Sequence, residues 1–191
     1  MELHSLLGQQ PGSAAIDSVL KEVTKKTTGT NSKVSEPTIK IYKDAVYYSY
    51  TPLGISFNYE PLKPIVPTEY SPSKNTAPDP ALLRLVAIHL YRHPTDKFET
   101  FPLPFIIPRT RREDATVIAE MIEMDMTKKA HEVVQLLGEP EERVGGGRQG
   151  NCWIGYQRAI GVAVDFVGSN WDDREMGVSS LTLTQPEKAS V

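Results

Sequence analysis

Apolar residues recur along this chain at the spacings of both helices and strands. Those within 13–23 fall on one face of a helix, for which Ser13 is a suitable N-cap. The same spacing predicts helices over 114–126 and 127–137. Gly138 follows the last apolar position of the third helix, where glycine readily takes the left-handed conformation that ends a helix.

Strands are predicted where apolar and polar residues alternate. Residues 38–59 are rich in Ile, Val and Tyr around a Pro and Gly turn, which predicts a β-hairpin. Residues 82–91 fit either a strand or a short helix, and we favour the strand. The tail shows three further alternating runs, which we expect to be strands: 151–156, 161–166 and 178–184.

Several segments show neither the helical spacing nor the strand alternation of apolar residues, and they are predicted to be loops. Residues 24–37 are polar and rich in Thr and Ser. Residues 61–80 contain six prolines, which cannot donate the hydrogen bonds that a sheet needs. Residues 94–108 are also interrupted by proline, and their apolar pieces are expected to lie against the core. Gly145–Gly147 predict a loose loop before the tail strands.

A Leu-Leu-Gly motif occurs twice, at 6–8 and at 136–138. Each copy precedes a strand, a turn that follows a tyrosine, and a strand led by glycine. The segments 50–59 and 156–166 carry these turns, and their apolar positions follow the same pattern. Chance similarity between two hydrophobic hairpins is the alternative explanation.

The repeat suggests two halves, 1–93 and 114–184, each a helix plus three strands, joined by the Pro-rich segment 94–113. We predict an α+β fold, with an antiparallel sheet and the helices packed on one face. The whole chain, 1–191, is expected to be a single domain.

Composition and charge narrow the functional classes. A net charge of −3 and the absence of a large Lys and Arg cluster argue against nucleic-acid binding, since phosphates attract concentrated cations. A single cysteine, Cys152, cannot form an internal disulfide, and no apolar run approaches the roughly 20 residues that cross a membrane. A cytoplasmic or nuclear protein is therefore expected.

The string Leu-Leu-Gly-Glu-Pro at 136–140, the glycines at 145–147 and the strand Gly-Val-Ala-Val-Asp-Phe at 161–166 support a family resemblance. They resemble a group of uncharacterised fungal proteins and, more remotely, the phagosome assembly factor family. The chain also resembles the α/β module of β-lactamase-inhibitor proteins and of small outer-membrane assembly lipoproteins. The resemblance covers 127–183 and, more weakly, 38–59. It implies a helical element on an antiparallel sheet and binding to other proteins.

Signals for catalysis or metal binding are incomplete. Arg148 follows three glycines and offers a guanidinium to an anion, but a strand is predicted where a phosphate loop would open a helix. His89 and His93 lack the glutamate of a zinc-protease motif, and Cys152 has no evident basic partner. We predict no metal, no cofactor and no catalytic residue, and we favour a protein that is not an enzyme.

Aromatic residues provide the strongest binding signal. Trp171 and Asp172 lie in a loop that joins two strands and combines an aromatic ring with charges of both signs, a composition common at interface hot spots. Tyrosines concentrate in the first hairpin, where the alternative is that most of them cover the helices. The predicted binding residues are Tyr48, Tyr50, Arg148, Trp153, Tyr156, Trp171 and Asp172.

These signals favour a non-enzymatic protein-interaction or scaffold module that uses the aromatic sheet face and the Trp171 loop. A protein partner is expected, and self-association is left open. The alternative is a small-ligand-binding protein or hydrolase with a pocket between sheet and helices, lined by Asp165, Asp172 and Arg148.

Overall fold

The α+β class predicted from the sequence is confirmed by a computed structural model of the chain. It describes residues 1–29, 32–63, 78–92, 95, 97–113, 116–147 and 150–187. These residues form three α-helices, which are α1 (Ala14–Thr28), α2 (Ala130–Leu137) and α3 (Gln157–Ile160). They also form ten strands: β1 (Thr38–Ile41), β2 (Val46–Tyr50), β3 (Ile55–Pro61), β4 (Leu83–Tyr91), β5 (Phe105–Glu113), β6 (Thr116–Met124), β7 (Glu142–Val144), β8 (Trp153–Tyr156), β9 (Val162–Phe166) and β10 (Val178–Thr184).

Eight of these strands form one antiparallel sheet in the order β1-β2-β3-β4-β10-β9-β8-β7. Strands β5 and β6 pair separately as a two-stranded sheet. In the large sheet, β4 pairs with β10, so the last strands of the two predicted halves meet at its centre. The strand order is therefore the same when read outward from β4 or from β10.

One face of the large sheet is apolar and forms the core. Phe57 pairs with Ile88, and Leu90 pairs with Leu181, and all four side chains are fully buried. Cross-strand partners share a face, so this apolar surface continues from β3 through β4 to β10. Burial of such side chains contributes about 1.5–3 kcal/mol each, which makes this face the main source of stability.

Helices α1 and α2 contribute buried side chains to the same hydrophobic cluster as the apolar face. Ser13 caps α1 as predicted, and its hydroxyl accepts a hydrogen bond from the Ile16 amide. The helix runs to Thr28, so the prediction that a loop begins at residue 24 was wrong by more than one turn. Placement of all helices on one face of the sheet stays a prediction.

The helix predicted over 114–126 was wrong, because the chain there forms β6, which pairs with β5. Ile122 is partly buried and Met124 fully buried, whereas Met121 is 61% exposed, which is the alternation of a strand. The helical spacing required Met121 and Ile122 to share a buried face. A short apolar run can fit both the helical and the strand spacing, and here the pairing with β5 decided in favour of the strand.

The remaining strand predictions are confirmed, and the structure adds elements that the sequence did not predict. Residues 82–91 form β4, and the three tail runs form β8, β9 and β10. The hairpin at 38–59 contains an extra turn and therefore three strands. The sequence pattern did not predict β5, the short strand β7 or the helical turn α3. Residues 105–108, which were expected to lie in a loop, belong to β5, because pairing with β6 holds them in extended conformation. Residues 64–77 of the proline-rich connection lie outside the described residues.

Each large hairpin turns through a glycine that follows a short helical segment. Gly54 follows the 3-10 turn Thr51–Leu53, Gly161 follows α3, and both have left-handed backbones with φ near 67° and 66°. A side chain at Gly54 would collide with the carbonyl of Glu99. These turns therefore require glycine for space as well as for conformation.

We expect Gly54→Ala to destabilise the protein more than Gly12→Ala. Gly12 has a φ of 73° but no atom within 4 Å of an added methyl group, so it reports left-handed strain alone, about 1–2 kcal/mol. Overpacking at Gly54 adds about 1–3 kcal/mol. Urea unfolding of the two variants measures the difference, and equal free energies of unfolding would contradict the packing at Gly54.

Candidate functional site

The second face of the large sheet is lined by polar and aromatic side chains, and we call it the polar sheet face. Hydrogen bonds link its residues across neighbouring strands. Ser49 and Ser56 hydroxyls lie 2.9 Å apart, and the Ser180 hydroxyl donates to the Asp165 carboxylate at 2.8 Å. Because these side chains bond to one another, they form an ordered surface.

A groove of about 540 Å³ lies on this face, and we call it the sheet groove. Ser49 and Ser56 are its smallest side chains, and aromatic rings border them. The rings of Tyr91 and Phe98 are stacked with centroids 3.8 Å apart. The described residues that line the groove are Lys40, Tyr42, Tyr47, Ser49, Ser56, Tyr91, Lys97 and Phe98.

Two buried polar atoms lie on the polar sheet face beside the groove. The His89 Nδ1 lies 3.0 Å from the Thr182 hydroxyl, while its Nε2 has no partner among the described residues. The Asn58 amide donates to the Tyr47 hydroxyl at 3.3 Å, and its Oδ1 is likewise unpaired there. Burial lowers the pKa of His89, and the nearby Asp165 carboxylate partly opposes this shift.

A second concavity, of about 260 Å³, lies between α2 and the apolar face of the sheet, and we call it the Trp171 cleft. Ile154 and Phe166, both buried, provide its sheet side, and Val134 provides its helix side. The described residues that line it are Ala130, His131, Val134, Glu139, Pro140, Arg143, Ile154, Phe166, Trp171, Asp173 and Arg174.

Trp171 is held from several directions. Its indole Nε1 donates to the Gly145 carbonyl at 3.1 Å, and its ring meets Phe166 edge to face at 6.2 Å. Gly146 packs so closely that a methyl group there would lie 2.9 Å from the indole ring. The Gly147 amide donates to the Ser169 carbonyl, so the predicted loose glycine loop is tied to the Trp171 loop.

Two exposed guanidinium groups lie at the rim of the Trp171 cleft. Arg143 lies over the indole ring at 4.2 Å, in cation–π geometry. Neither Arg143 nor Arg174 has a carboxylate within 4.0 Å in the described part of the chain. The backbone carbonyl of Arg174 lies 2.9 Å from His131 Nδ1, which links the Trp171 loop to α2.

Of the predicted binding residues, Trp171 lines the cleft, and Asp172 is exposed beside it without lining it. The Asp172 amide donates to the Asn170 side chain at 3.1 Å. Trp153 pairs with Asp165 on the polar sheet face, away from the cleft. Arg148 lies outside the described residues.

The predicted tyrosines lie on the apolar side of the sheet. Tyr48 and Tyr50 pair with Phe57 and Ile55 and are half-buried, and burial raises the pKa of Tyr50 to about 12. Tyr156 is 2% exposed, and its hydroxyl donates to the Gly138 carbonyl at 2.8 Å. Among the predicted binding residues that the structure describes, Trp171 alone lines the cleft.

The residues proposed for a hydrolytic pocket do not converge among the described side chains. Asp165 lies on the polar sheet face, whereas Asp172 lies outside the lining of the Trp171 cleft. Cys152 is fully buried, and burial raises the pKa of its thiol. No group of three potential metal ligands occurs in the described ranges, and no helix in them is long and apolar enough to cross a membrane.

Sequence reasoning missed the cation pair of the cleft and the rings of the groove. Arg143 is on β7, a three-residue strand too short to show a period, and Arg174 was read only as part of a mixed-charge loop. Tyr91 ends β4, and its alternation with Leu90 was a usable signal that it faces away from the core.

We expect stability to fall as the pH drops, partly because of His89. Its folded pKa is below the ordinary value, so the unfolded chain takes up the proton first. The stabilisation from its neutral form is complete above the unfolded pKa, about 6.5, and is lost as the pH falls from there towards the folded pKa.

Thermal unfolding at about pH 7.5 and about pH 5.5 measures this effect. The melting temperature of His89→Gln should fall less on acidification than that of the wild type, because the variant lacks the titrating ring. Ser18→Ala, which alters an exposed side chain without a titratable group, is the control and should behave like the wild type. An unchanged pH dependence in His89→Gln would contradict a buried neutral His89.

Comparison with family models, with curated proteins and with solved structures finds no match for this chain. The resemblance to fungal and phagosome assembly proteins therefore stays a prediction. The function is therefore inferred from the geometry and chemistry of the Trp171 cleft and the sheet groove.

Proposed function

We propose that this protein is a non-enzymatic protein-interaction module whose anchor site is the Trp171 cleft. The proposal depends on one observation: a firmly held tryptophan lies between an apolar floor and two guanidiniums that have no carboxylate partner among the described residues. Tryptophan and arginine are enriched at the residues that contribute most to protein–protein affinity. The cleft combines both residue types around a concavity.

The size of the Trp171 cleft favours a protein side chain as its occupant. Its volume of about 260 Å³ lies below the range of roughly 300–1,000 Å³ that is usual for small-molecule pockets. A single aliphatic or aromatic side chain would cover Ile154 and Phe166. Because hydrogen bonding to Gly145 already orients Trp171, binding would cost little side-chain entropy.

Charges at the rim favour a particular neighbour for that side chain. Arg143 and Arg174 offer charge-assisted hydrogen bonds to a carboxylate, whereas Glu139 and Asp173 repel one. A partner segment with an apolar anchor and an adjacent acidic residue would satisfy the arginines in one orientation. Mixed rim charges of this kind select a register as well as a partner.

We also infer that the two halves of the large sheet are copies of one unit. The support is the symmetric strand order and the two left-handed turn glycines, Gly54 and Gly161. In this proposal β1 to β4 correspond to β7 to β10.

We propose a cytoplasmic or nuclear location as well, since Cys152 is a free thiol.

The proposal can be tested by selecting peptides from a phage-displayed random library on the full chain. We expect selected peptides to share an apolar residue beside an acidic one. Trp171→Ala should weaken their affinity by at least about tenfold, which corresponds to roughly 1.4 kcal/mol. Fluorescence polarisation with labelled peptides measures the affinity, and circular dichroism checks that each variant is folded.

The control is Trp153→Ala, which removes the same residue type from the polar sheet face and should leave affinity unchanged. Arg174→Gln changes an exposed side chain and should also weaken binding, so the test stands even if Trp171→Ala unfolds. Light scattering shows whether a second copy of the chain occupies the cleft. Failure to select any peptide, or full affinity in Trp171→Ala and Arg174→Gln, would overturn the proposal.

A further inference from the structure

The charges of the sheet groove are unbalanced. Lys40 and Lys97 line it, and no carboxylate does so among the described residues. Neither lysine has a carboxylate within 4.0 Å in the described part of the chain. Lysines without a carboxylate partner are common on protein surfaces. These two, however, line the same concave site, although the chain as a whole has a net charge of −3. Their flexible stems allow both ammonium groups to reach over the groove.

Flat rings border the same groove. Tyr91 and Phe98 are stacked with an interplanar angle of 16°, and Tyr42 meets Tyr47 edge to face at 5.8 Å. A planar ligand ring on such a surface is stabilised by stacking, as bases are on aromatic side chains. The groove volume of about 540 Å³ lies within the usual range for small-molecule sites.

The floor of the sheet groove is polar and recessed. Ser49 and Ser56 are smaller than the rings around them, and their hydroxyls offer a hydrogen-bond donor and acceptors. His89 pairs with Ser56 across the strands, and its ring centroid is 6.1 Å from Tyr47 and 6.5 Å from Tyr91. The His89 Nε2, which has no hydrogen-bond partner in the part of the chain that the structure describes, therefore lies close to the groove.

Lys97 is held in a costly backbone conformation. Its φ of 68° is the only positive value for a non-glycine residue in the described ranges. The turn is closed by the Phe98 amide, which donates to the Thr95 carbonyl at 2.8 Å, and the Thr95 hydroxyl donates to the Ser179 carbonyl. Strained residues of this kind cluster at ligand sites, because function is a reason to retain the strain.

We propose that the sheet groove binds a phosphorylated planar ring, with the ring against the aromatic side chains and the phosphate between Lys40 and Lys97. Two sources share this chemistry, a free mononucleotide and the phosphotyrosine side chain of a protein. The inference goes beyond the proposed function, because it concerns the opposite face of the sheet and a different ligand class.

The experiment is calorimetric titration of the full chain with adenosine monophosphate and, separately, with O-phosphotyrosine. We expect at least one of them to bind with a Kd of roughly 1 mM or tighter. Adenosine, tyrosine and inorganic phosphate should each bind at least about tenfold more weakly, because each lacks half of the recognised chemistry. Tighter binding of the nucleotide would indicate a free mononucleotide, and the reverse order would indicate phosphotyrosine.

Lysine variants separate this site from general charge attraction. Lys40→Gln combined with Lys97→Gln should weaken binding by at least about tenfold, while Lys21→Gln on the exposed side of α1 should leave it unchanged. Lys97→Gly removes the ammonium group and relieves the left-handed backbone. Lys97→Gly should therefore weaken binding and raise the melting temperature at the same time. If Lys97 had no role in binding, the melting temperature would rise but the affinity would not change.

Two results would overturn the inference. One is that neither phosphorylated ring binds with a Kd of roughly 1 mM or tighter, and the other is wild-type affinity in the double lysine variant. Amide chemical shifts that change at Ser49, Ser56 and Tyr91 would support the site. Changes confined to the Trp171 loop would count against it and would assign the anion to the arginines of the Trp171 cleft.

Discussion

The antiparallel pairing of β4 with β10 is the contact on which the rest of the structure depends. It joins strands that are about half the chain apart, and it aligns Leu90 with Leu181 and Ile88 with Leu183 on the apolar face. All four side chains are fully buried. Without this pairing the two four-stranded sets would each expose an edge of backbone donors and acceptors, together with part of an apolar face.

The formation of one eight-stranded sheet assigns the aromatic residues to two different roles. Tyr48 and Tyr50 face the core side, where burial raises the pKa of both hydroxyls. Tyr47 directly precedes Tyr48 in β2 and lies on the polar sheet face. A one-residue change of register would exchange these roles, because side chains alternate along a strand. The same alternation creates both the hydrophobic core and the sheet groove.

The Trp171 cleft is formed by loop packing at one end of this sheet. Gly146 lies against the indole ring because it has no side chain, and the Gly145 carbonyl accepts the indole hydrogen bond. The run of glycines is therefore a packing surface for Trp171. The cleft and the sheet groove lie on opposite faces, so the sheet can present two chemically different surfaces with little direct competition between them.

The sequence by itself determined the fold class, most of the strands, α2 and the cap of α1, because these follow from local spacing and from capping residues such as Ser13. It also predicted a binding role for Trp171 from the composition of its loop, and the tertiary structure places that side chain in the lining of a cleft. It misassigned 114–126, where helical and strand periods both fit and pairing with β5 decided the outcome.

Tertiary structure alone decided which face each tyrosine occupies, and it brought Arg143 to Trp171 and Lys40 to the groove that Lys97 lines. Those neighbours come from strands and loops far apart in the chain. Local propensity carries no information about such distances, because register and strand order are set by the burial of the whole apolar face.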